Sequence, residues 1–441
     1  MSPGATGQVL SRSSGFLCEK SGLPSIINSG LNFLIFGKHT ARMKKLFNLI
    51  VSTARGAWIL LGVCILLLIG IEILFTLAAK TGNPPSSNPR LEADCFAGAD
   101  WAAGYFAELQ QMNEDWHPVT YWRMRPFSGK YINIDGSGIR RTWNPDFSGG
   151  GKPFRIFTFG GSTMWGVGCR DDFTIASYLS KILNEKGYSV EVTNFGQSGF
   201  VNTQEVLELY LESRGGNVPD AAIFYDGVNE VFSFCHAKQA GLPTNELMRA
   251  EEFKLSIKKR ALIKRSAFAV ATQSSTIKAL VALTKKIGGA GAEEKYFESM
   301  LSDPAYDNFP AILDVYGQNL ELARSIGGQH GFDTLFYWQP VVYTKKSLTG
   351  FEQRASKLKK EYRLLEKTYL NTYSLAENSE ALARLDGFRN ISDIFDDYEG
   401  TMYIDFCHIC EKGNEMVATV MARDMAALID ERDKNSNDSP D

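Results

Sequence analysis

Histidine is scarce, with five residues in 441. A proton-transfer site built on imidazole therefore has few candidates. Cysteine is nearly as sparse, at seven residues with no dense spacing, which excludes a small disulfide-stapled scaffold. No charge of one sign dominates. Lys+Arg 47 against Asp+Glu 50 leaves a net charge of -3, so composition offers no electrostatic case for nucleic-acid binding. The stretch Gly160 to Gly168 is glycine-rich but lacks the lysine of a phosphate-cradling loop, and it does not match Gly-x-Gly-x-x-Gly, so nucleotide binding loses its usual signatures. Cys407 and Cys410 have the spacing of a redox or zinc pair. No second Cys or His pair lies nearby to complete a zinc site, and neither metal nor cofactor is expected.

What is present is a globular composition, 44% hydrophobic and 22% charged, with length for one large core or two modest ones. From Ala57 to Ala79 the chain is almost uninterruptedly apolar, long enough to span a bilayer as a helix. Glu72 falls inside this span and is costly at mid-bilayer unless protonated, snorkelling or facing a partner helix. Lys38, Arg42, Lys44, Lys45 and Arg55 precede the span, whereas only Lys80 and Arg90 follow closely. The positive-inside rule then places the amino terminus in the cytoplasm and the remainder on the periplasmic or extracellular side. A cleaved signal peptide is the alternative, but the run is longer than an ordinary signal core. Met43-Lys44-Lys45 has the form of a natural start, which makes Met43 a second candidate initiator beside Met1.

The segmentation expected from these features is a largely disordered cytoplasmic segment over 1–56, a transmembrane helix over 57–79 and a linker over 80–92. An accessory segment over 93–150 packs on a main domain over 151–432, and a disordered tail follows over 433–441. Residues 93–115 carry apolar groups at near-helical spacing. In the main domain, strands are predicted at Pro153–Phe159, Ser189–Phe195, Asp220–Tyr225, Asp333–Trp338 and Thr401–Ile404. Helices alternate with them at Asp171–Lys186, Val201–Ser213, Leu313–Ser325, Glu352–Tyr373 and Gly413–Asp430. Asp171 and Asp172 would sit in a first turn, where the helix dipole favours carboxylates. Such alternation argues for a parallel sheet covered on both faces. A mostly helical insertion over 232–308 interrupts it. There Lys254, Lys258, Lys259, Arg260, Lys264 and Arg265 form a basic face, either solvated or in contact with anionic lipid or an acidic polymer.

The first strand ends in Phe159-Gly160-Gly161-Ser162. Paired glycines permit a sharp turn and leave the next side chain exposed at the edge where open α/β sheets bind ligands. A serine there needs a base. Among the five histidines, only His408 follows a late predicted strand with an acid, Asp405, three residues before it. Asp405 on the imidazole Nδ1–H would leave Nε2 for the Ser162 proton. The Ser162 amide, the Gly196 amide and the Asn229 side chain supply three donors for an oxyanion.

Gly-Gly-Ser at 160–162, Asn-Phe-Gly at 194–196, Gly-Val-Asn-Glu at 227–230 and Asp-Phe-Cys-His at 405–408, followed by Gly413 and a helix, resemble the four blocks of the SGNH (GDSL-type) hydrolases. The resemblance spans roughly residues 153–430. It implies a flavodoxin-like three-layer α/β/α domain, with Ser162 as nucleophile, His408 as base, Asp405 as its orienting partner, and Gly196 and Asn229 as oxyanion donors. Gly161 stands where the family commonly has Asp, and Glu230 stands in place of the usual Asp. Residues Asn133 to Arg140 also resemble a segment that precedes the hydrolase domain in envelope-associated members linked to polysaccharide modification. The expected activity is ester hydrolysis on an acylated small molecule or envelope glycan, with membrane lipid contacted through the apolar helix. Acyl transfer to a sugar is the alternative, and a non-catalytic scaffold is the reading from another class. A disulfide is permitted across the membrane, with Cys95, Cys169 and Cys235 as candidates beside Cys407 and Cys410. Five is an odd number, so at least one stays free or pairs with another chain.

Overall fold

The computed structural model describes residues 29–81, 88–257, 274, 276, 304–356 and 363–437. It divides into two units, Met1–Ala78 and Ala79–Asp441. In the first, one helix runs from Ser29 to Thr81. No proline occurs between Pro24 and Pro84, so no missing N–H or ring clash stops it. The portion Arg42–Leu77 contains an 18-residue window of mean hydropathy 2.8 and is long and apolar enough to cross a membrane. Disorder expected over 1–56 is therefore corrected for residues 29–56, which are helical; residues 1–28 lie outside the described residues.

In the second unit, the accessory segment forms the helix Ala102–Leu109 and four short strands: β1 Glu114–His117, β2 Tyr121–Met124, β3 Phe127–Ser128 and β4 Asn133–Ile134. They pair as antiparallel hairpins, β1 with β2 and β3 with β4. The segment is tied down by Arg140, whose guanidinium is fully buried. It meets Asp171 at 3.0 Å, donates to the carbonyls of Trp165, Gly166 and Cys169, and lies over the Trp165 ring. Asp171 is thus an ion-pair partner and not a helix-dipole carboxylate. The helix itself starts at Ile175, capped by the Thr174 side chain.

The main sheet contains β5 Phe154–Gly160, β6 Val190–Asn194, β7 Ala221–Asp226, β8 Asp333–Trp338 and β9 Phe388–Asn390, in the order β6-β5-β7-β8-β9. All four pairings are parallel. Numbered within the sheet this is 2-1-3-4-5, the flavodoxin-like order, with its topological switch where β5 meets β7. Side chains alternate between faces. Ile156, Ile223 and Tyr225 join one apolar core, with the helices Ile175–Glu185 and Glu411–Asn437 over it. Phe157, Phe159, Phe224 and Phe336 join the other, beneath the helices Asn202–Arg214, Ala311–His330 and Arg363–Glu377. Phe159, Phe224 and Phe336 stack across three strands with centroids 4.9 and 5.3 Å apart. The α/β/α layering read from the alternation is present.

Several boundaries differ. Thr401–Ile404 is not a strand, and the fifth strand is β9. The backbone of 401–410 is satisfied elsewhere: Met402 and Tyr403 N–H donate to Glu352 Oε1 at 2.8 and 3.1 Å, Ile404 N–H to the His408 carbonyl, and Cys410 N–H to the Met402 carbonyl. The helix expected over Glu352–Tyr373 is described as Gly350–Ser356 and Arg363–Glu377, on either side of residues outside the described set. The last helix continues to Asn437, past the expected tail boundary. Of the insertion, the helices Val228–Ala237 and Glu246–Ile257 are described. Lys254 pairs with Glu251 at 2.7 Å; Lys258, Lys259, Arg260, Lys264 and Arg265 lie outside the described residues.

Behind the β7 edge, Glu205, Asp226 and Glu230 are all buried. Glu230 is satisfied by the N–H groups of Gly227 and Asn202 at 2.6 and 2.7 Å. Glu205 lies against Asp226. Burial first, then the neighbouring carboxylates, pushes Glu205 well up and Asp226 up to about 8. The unfolded values lie near 4 (about 3.9 for Asp), so this pair favours the fold in its protonated form. That stability is complete below about pH 4 and is lost as pH rises towards 8. The thermal midpoint of the detergent-solubilised chain is expected to fall by several degrees between pH 5 and pH 8.5. Glu205→Gln keeps the shape without the charge and should flatten the slope. An unchanged slope in that variant would refute the assignment of the slope to this pair.

Candidate active site

β5 ends at Gly160, Gly161 caps the short helix Ser162–Trp165, and Ser162 is its first residue. Ser162 is half-buried, and its N–H makes no hydrogen bond among the described residues, as expected for a first-turn amide. Its Oγ lies 2.7 Å from His408 Nε2. His408 Nδ1 lies 2.7 Å from Asp405 Oδ2 and 3.0 Å from Oδ1. With Nδ1–H donating to the carboxylate, Nε2 carries the lone pair that accepts the serine proton. Asp405 Oδ1 also accepts the N–H groups of His408 and Cys407 at 2.8 and 3.1 Å.

One partner was not legible from the sequence. Arg90 Nη2 lies 2.6 Å from Asp405 Oδ2. Burial alone would push the Asp405 carboxyl up. His408 and Arg90, with backbone N–H donors, outweigh it and hold the group well below the usual carboxylate range. In the sequence Arg90 is only a cation near the apolar run, and no spacing relates it to residue 405. Asp405, Cys407 and His408 also place possible metal-donor atoms within 4.8 Å of one another. Both imidazole nitrogens are already engaged, by Asp405 and Ser162, and Arg90 sets a cation against the carboxylate.

Asn229 follows β7 and lies beside Gly161. Its Nδ2 donates to the Phe200 carbonyl at 2.7 Å, leaving the second amide hydrogen uncommitted. A Cβ on Gly161 would fall onto this Nδ2, which accounts for glycine where the SGNH pattern commonly has Asp. Glu230 in turn closes the first turn of the helix that carries Asn229, bonding Gly227 N–H. Gly161→Ala is expected to drive Asn229 from its place and lower kcat by about 10²–10³-fold, the usual cost of one oxyanion donor, with little change in KM. A variant with wild-type kcat would show that Asn229 does not serve the reaction.

Gly196 is brought to the same edge but does not present its amide. The N–H donates to Asn194 Oδ1 at 2.9 Å, and Asn194 Nδ2 binds the Met164 carbonyl. A methyl there would meet the Trp165 nitrogen at 2.6 Å. The Gly196 assignment as oxyanion donor is thereby corrected: its role is to let β6 pass close behind the serine turn. Gly199, partly exposed and at φ +72°, has an N–H with no hydrogen bond among the described residues. It adjoins Phe200, whose carbonyl both accepts from Asn229 and borders Gly161.

The other described histidine rings are engaged elsewhere or stand apart. His117 meets Thr120 and His236 the Phe232 carbonyl, each at 2.8 Å, while His330 ends the helix Ala311–His330.

No family model matches the chain, and no curated protein matches it. Solved structures do. A carbohydrate acetylesterase family member from Sinorhizobium meliloti is 11% identical, covering 62% of this chain and 98% of that one, with a TM-score of 0.34. The acetyl xylan esterase AlAXEase is 13% identical, covering 60% and 97%, with a TM-score of 0.32. The psychrotrophic esterase EstA from Pseudoalteromonas sp. is 10% identical, covering 63% and 99%, with a TM-score of 0.30. The fold is read from this chain itself. Its sheet order and parallel crossovers are those of a flavodoxin-like α/β/α domain, and the residues of the four sequence blocks converge at one edge of that sheet.

Proposed function

We propose that this chain is a membrane-anchored serine hydrolase that cleaves a short acyl ester, such as acetyl on a cell-envelope glycan, through an acyl-Ser162 intermediate. The observation that carries the reading is the unbroken relay Ser162 Oγ–His408 Nε2 at 2.7 Å and His408 Nδ1–Asp405 Oδ2 at 2.7 Å. His408 takes the Ser162 proton as Oγ attacks the ester carbonyl, then returns it to the leaving alcohol. Water repeats the sequence to release the acid. The negative charge on the carbonyl oxygen meets the Ser162 N–H, the free hydrogen of Asn229 Nδ2 and, in place of Gly196, the Gly199 N–H. Asp405, kept ionised beside Arg90, fixes the imidazole tautomer and balances the imidazolium.

The anchor is the helix portion Arg42–Leu77, contacting membrane lipid. The excess of Lys and Arg before it supports a cytoplasmic amino terminus and a catalytic domain on the periplasmic or extracellular side. The glycan assignment draws on that topology and on the resemblance of residues 133–140; nucleic acid has no place in it. The full chain in detergent is to be assayed on p-nitrophenyl acetate and on acetylated glycans, with and without an acceptor sugar. Acetate release independent of acceptor is the expected result. Acetyl appearing on the sugar at the expense of acetate would make the chain an O-acyltransferase. Absence of both, with no labelling by a fluorophosphonate, would make it a scaffold.

A further inference from the structure

The segment just past the apolar helix touches the loop that carries Asp405 and His408 at three places. Arg90 meets Asp405. Asp94 Oδ2 accepts from Thr401 Oγ1 at 3.1 Å. The third place brings Cys95, in the turn Asp94–Phe96, beside Cys410, which immediately precedes the helix Glu411–Asn437. Both residues line one cavity of about 340 Å³ with Trp101, Tyr398, Glu411 and Lys412. Cys410 is buried in the apolar core and Cys95 packs against it. Both are free thiols here.

We infer that Cys95 and Cys410 are the partners of a disulfide that fastens the juxtamembrane segment to the catalytic loop. The Cys410 thiol is the one prepared to react. The neighbouring Cys95 thiol, against the effect of burial and with help from the N–H groups of Lys412 and Gly413, lowers it to about 7. Cys95 is pushed up by that same contact and by burial. The Cys410 thiolate attacks one sulfur of a disulfide oxidant such as glutathione disulfide and releases one thiolate. Cys95 gives its proton to solvent and attacks the Cys410 sulfur, expelling the second thiolate. Two S–H bonds are replaced by one S–S bond, and the oxidant leaves as two thiols. The bond suits the oxidising side of a membrane. Cys407, although nearer in sequence, is separated from this pair, since its sulfur faces His408 Nδ1 at 3.7 Å.

The test uses the full chain in detergent, equilibrated with glutathione disulfide, quenched with N-ethylmaleimide and mapped by protease digestion and mass spectrometry without reductant. The expected product is one cross-linked peptide pair containing residues 95 and 410. It should persist in Cys169→Ser, vanish in Cys95→Ser and Cys410→Ser, and confer a thermal midpoint several degrees higher that dithiothreitol removes. Alkylation of both thiols, a persistent glutathione adduct on either, or a Cys407–Cys410 link would each overturn the inference. The mapping on the unaltered chain stands even where a serine variant fails to fold, and it does not depend on activity. Loss of esterase activity with the cross-link intact would count against the hydrolase reading alone.

Discussion

Ser162→Ala is expected to lower kcat/KM on p-nitrophenyl acetate by a factor on the order of 10⁴ or more and to abolish fluorophosphonate labelling, with an unchanged thermal midpoint. The serine hydroxyl has one partner that matters for chemistry, His408 Nε2, and no core apolar contact is lost with it. His408→Ala should fall to a similar level. The double variant should be no worse than either single one, because nucleophile and base act as a unit and their effects do not add. Losses that multiplied in the double variant would separate the two residues mechanistically. Retained labelling in Ser162→Ala would move the nucleophile elsewhere.

Glu352→Leu is expected to be the most damaging substitution outside the reacting residues. The Lys345 and Glu352 side chains are both fully buried and meet at 2.8 Å. Burial would push the Glu352 carboxyl up, but Lys345 and the N–H groups of Thr349, Met402 and Tyr403 overcome it and hold the group low. Removing one member leaves a buried ammonium without its anion, at a cost of about 3–5 kcal/mol. That corresponds to a fall in thermal midpoint of roughly 10 °C. Lys345→Met together with Glu352→Leu should recover most of the stability, since an apolar pair of similar volume carries no desolvation penalty. Activity should stay low in the double variant, because the N–H groups of Met402 and Tyr403 still lack the acceptor that shapes the loop before Asp405. Recovery of both together would show that Glu352 supports only the fold.

The β5, β6, β7 and β8 strands and the block sequence were legible because each is a local pattern: an apolar run, a glycine break, a polar group at its end. What was misread depends on distant partners. Thr401–Ile404 has the composition of a strand, yet the N–H groups of Met402 and Tyr403 are claimed by Glu352, some fifty residues earlier. The true edge strand, β9, is only three residues long and too short for a period to register. Gly196 has the spacing of a donor, but whether an amide is free depends on the Asn194 rotamer beside it. Arg90 and Cys95 carry no motif at all, and only the folded chain brings them to residues 401–410.

The Arg90 contact also determines where the domain that holds the site can be separated from the apolar helix. A cleavage at residue 93 would retain every strand and the whole Ser162–His408–Asp405 set, and it would leave the Asp405 carboxylate without its guanidinium. The same cut removes Asn88, whose side chain caps the turn Pro89–Glu92 that presents Arg90. A fragment that keeps the native charge balance at its acid therefore has to begin at or before residue 88. Kinetics measured on a shorter fragment would describe a site with a different charge balance from that of the full chain.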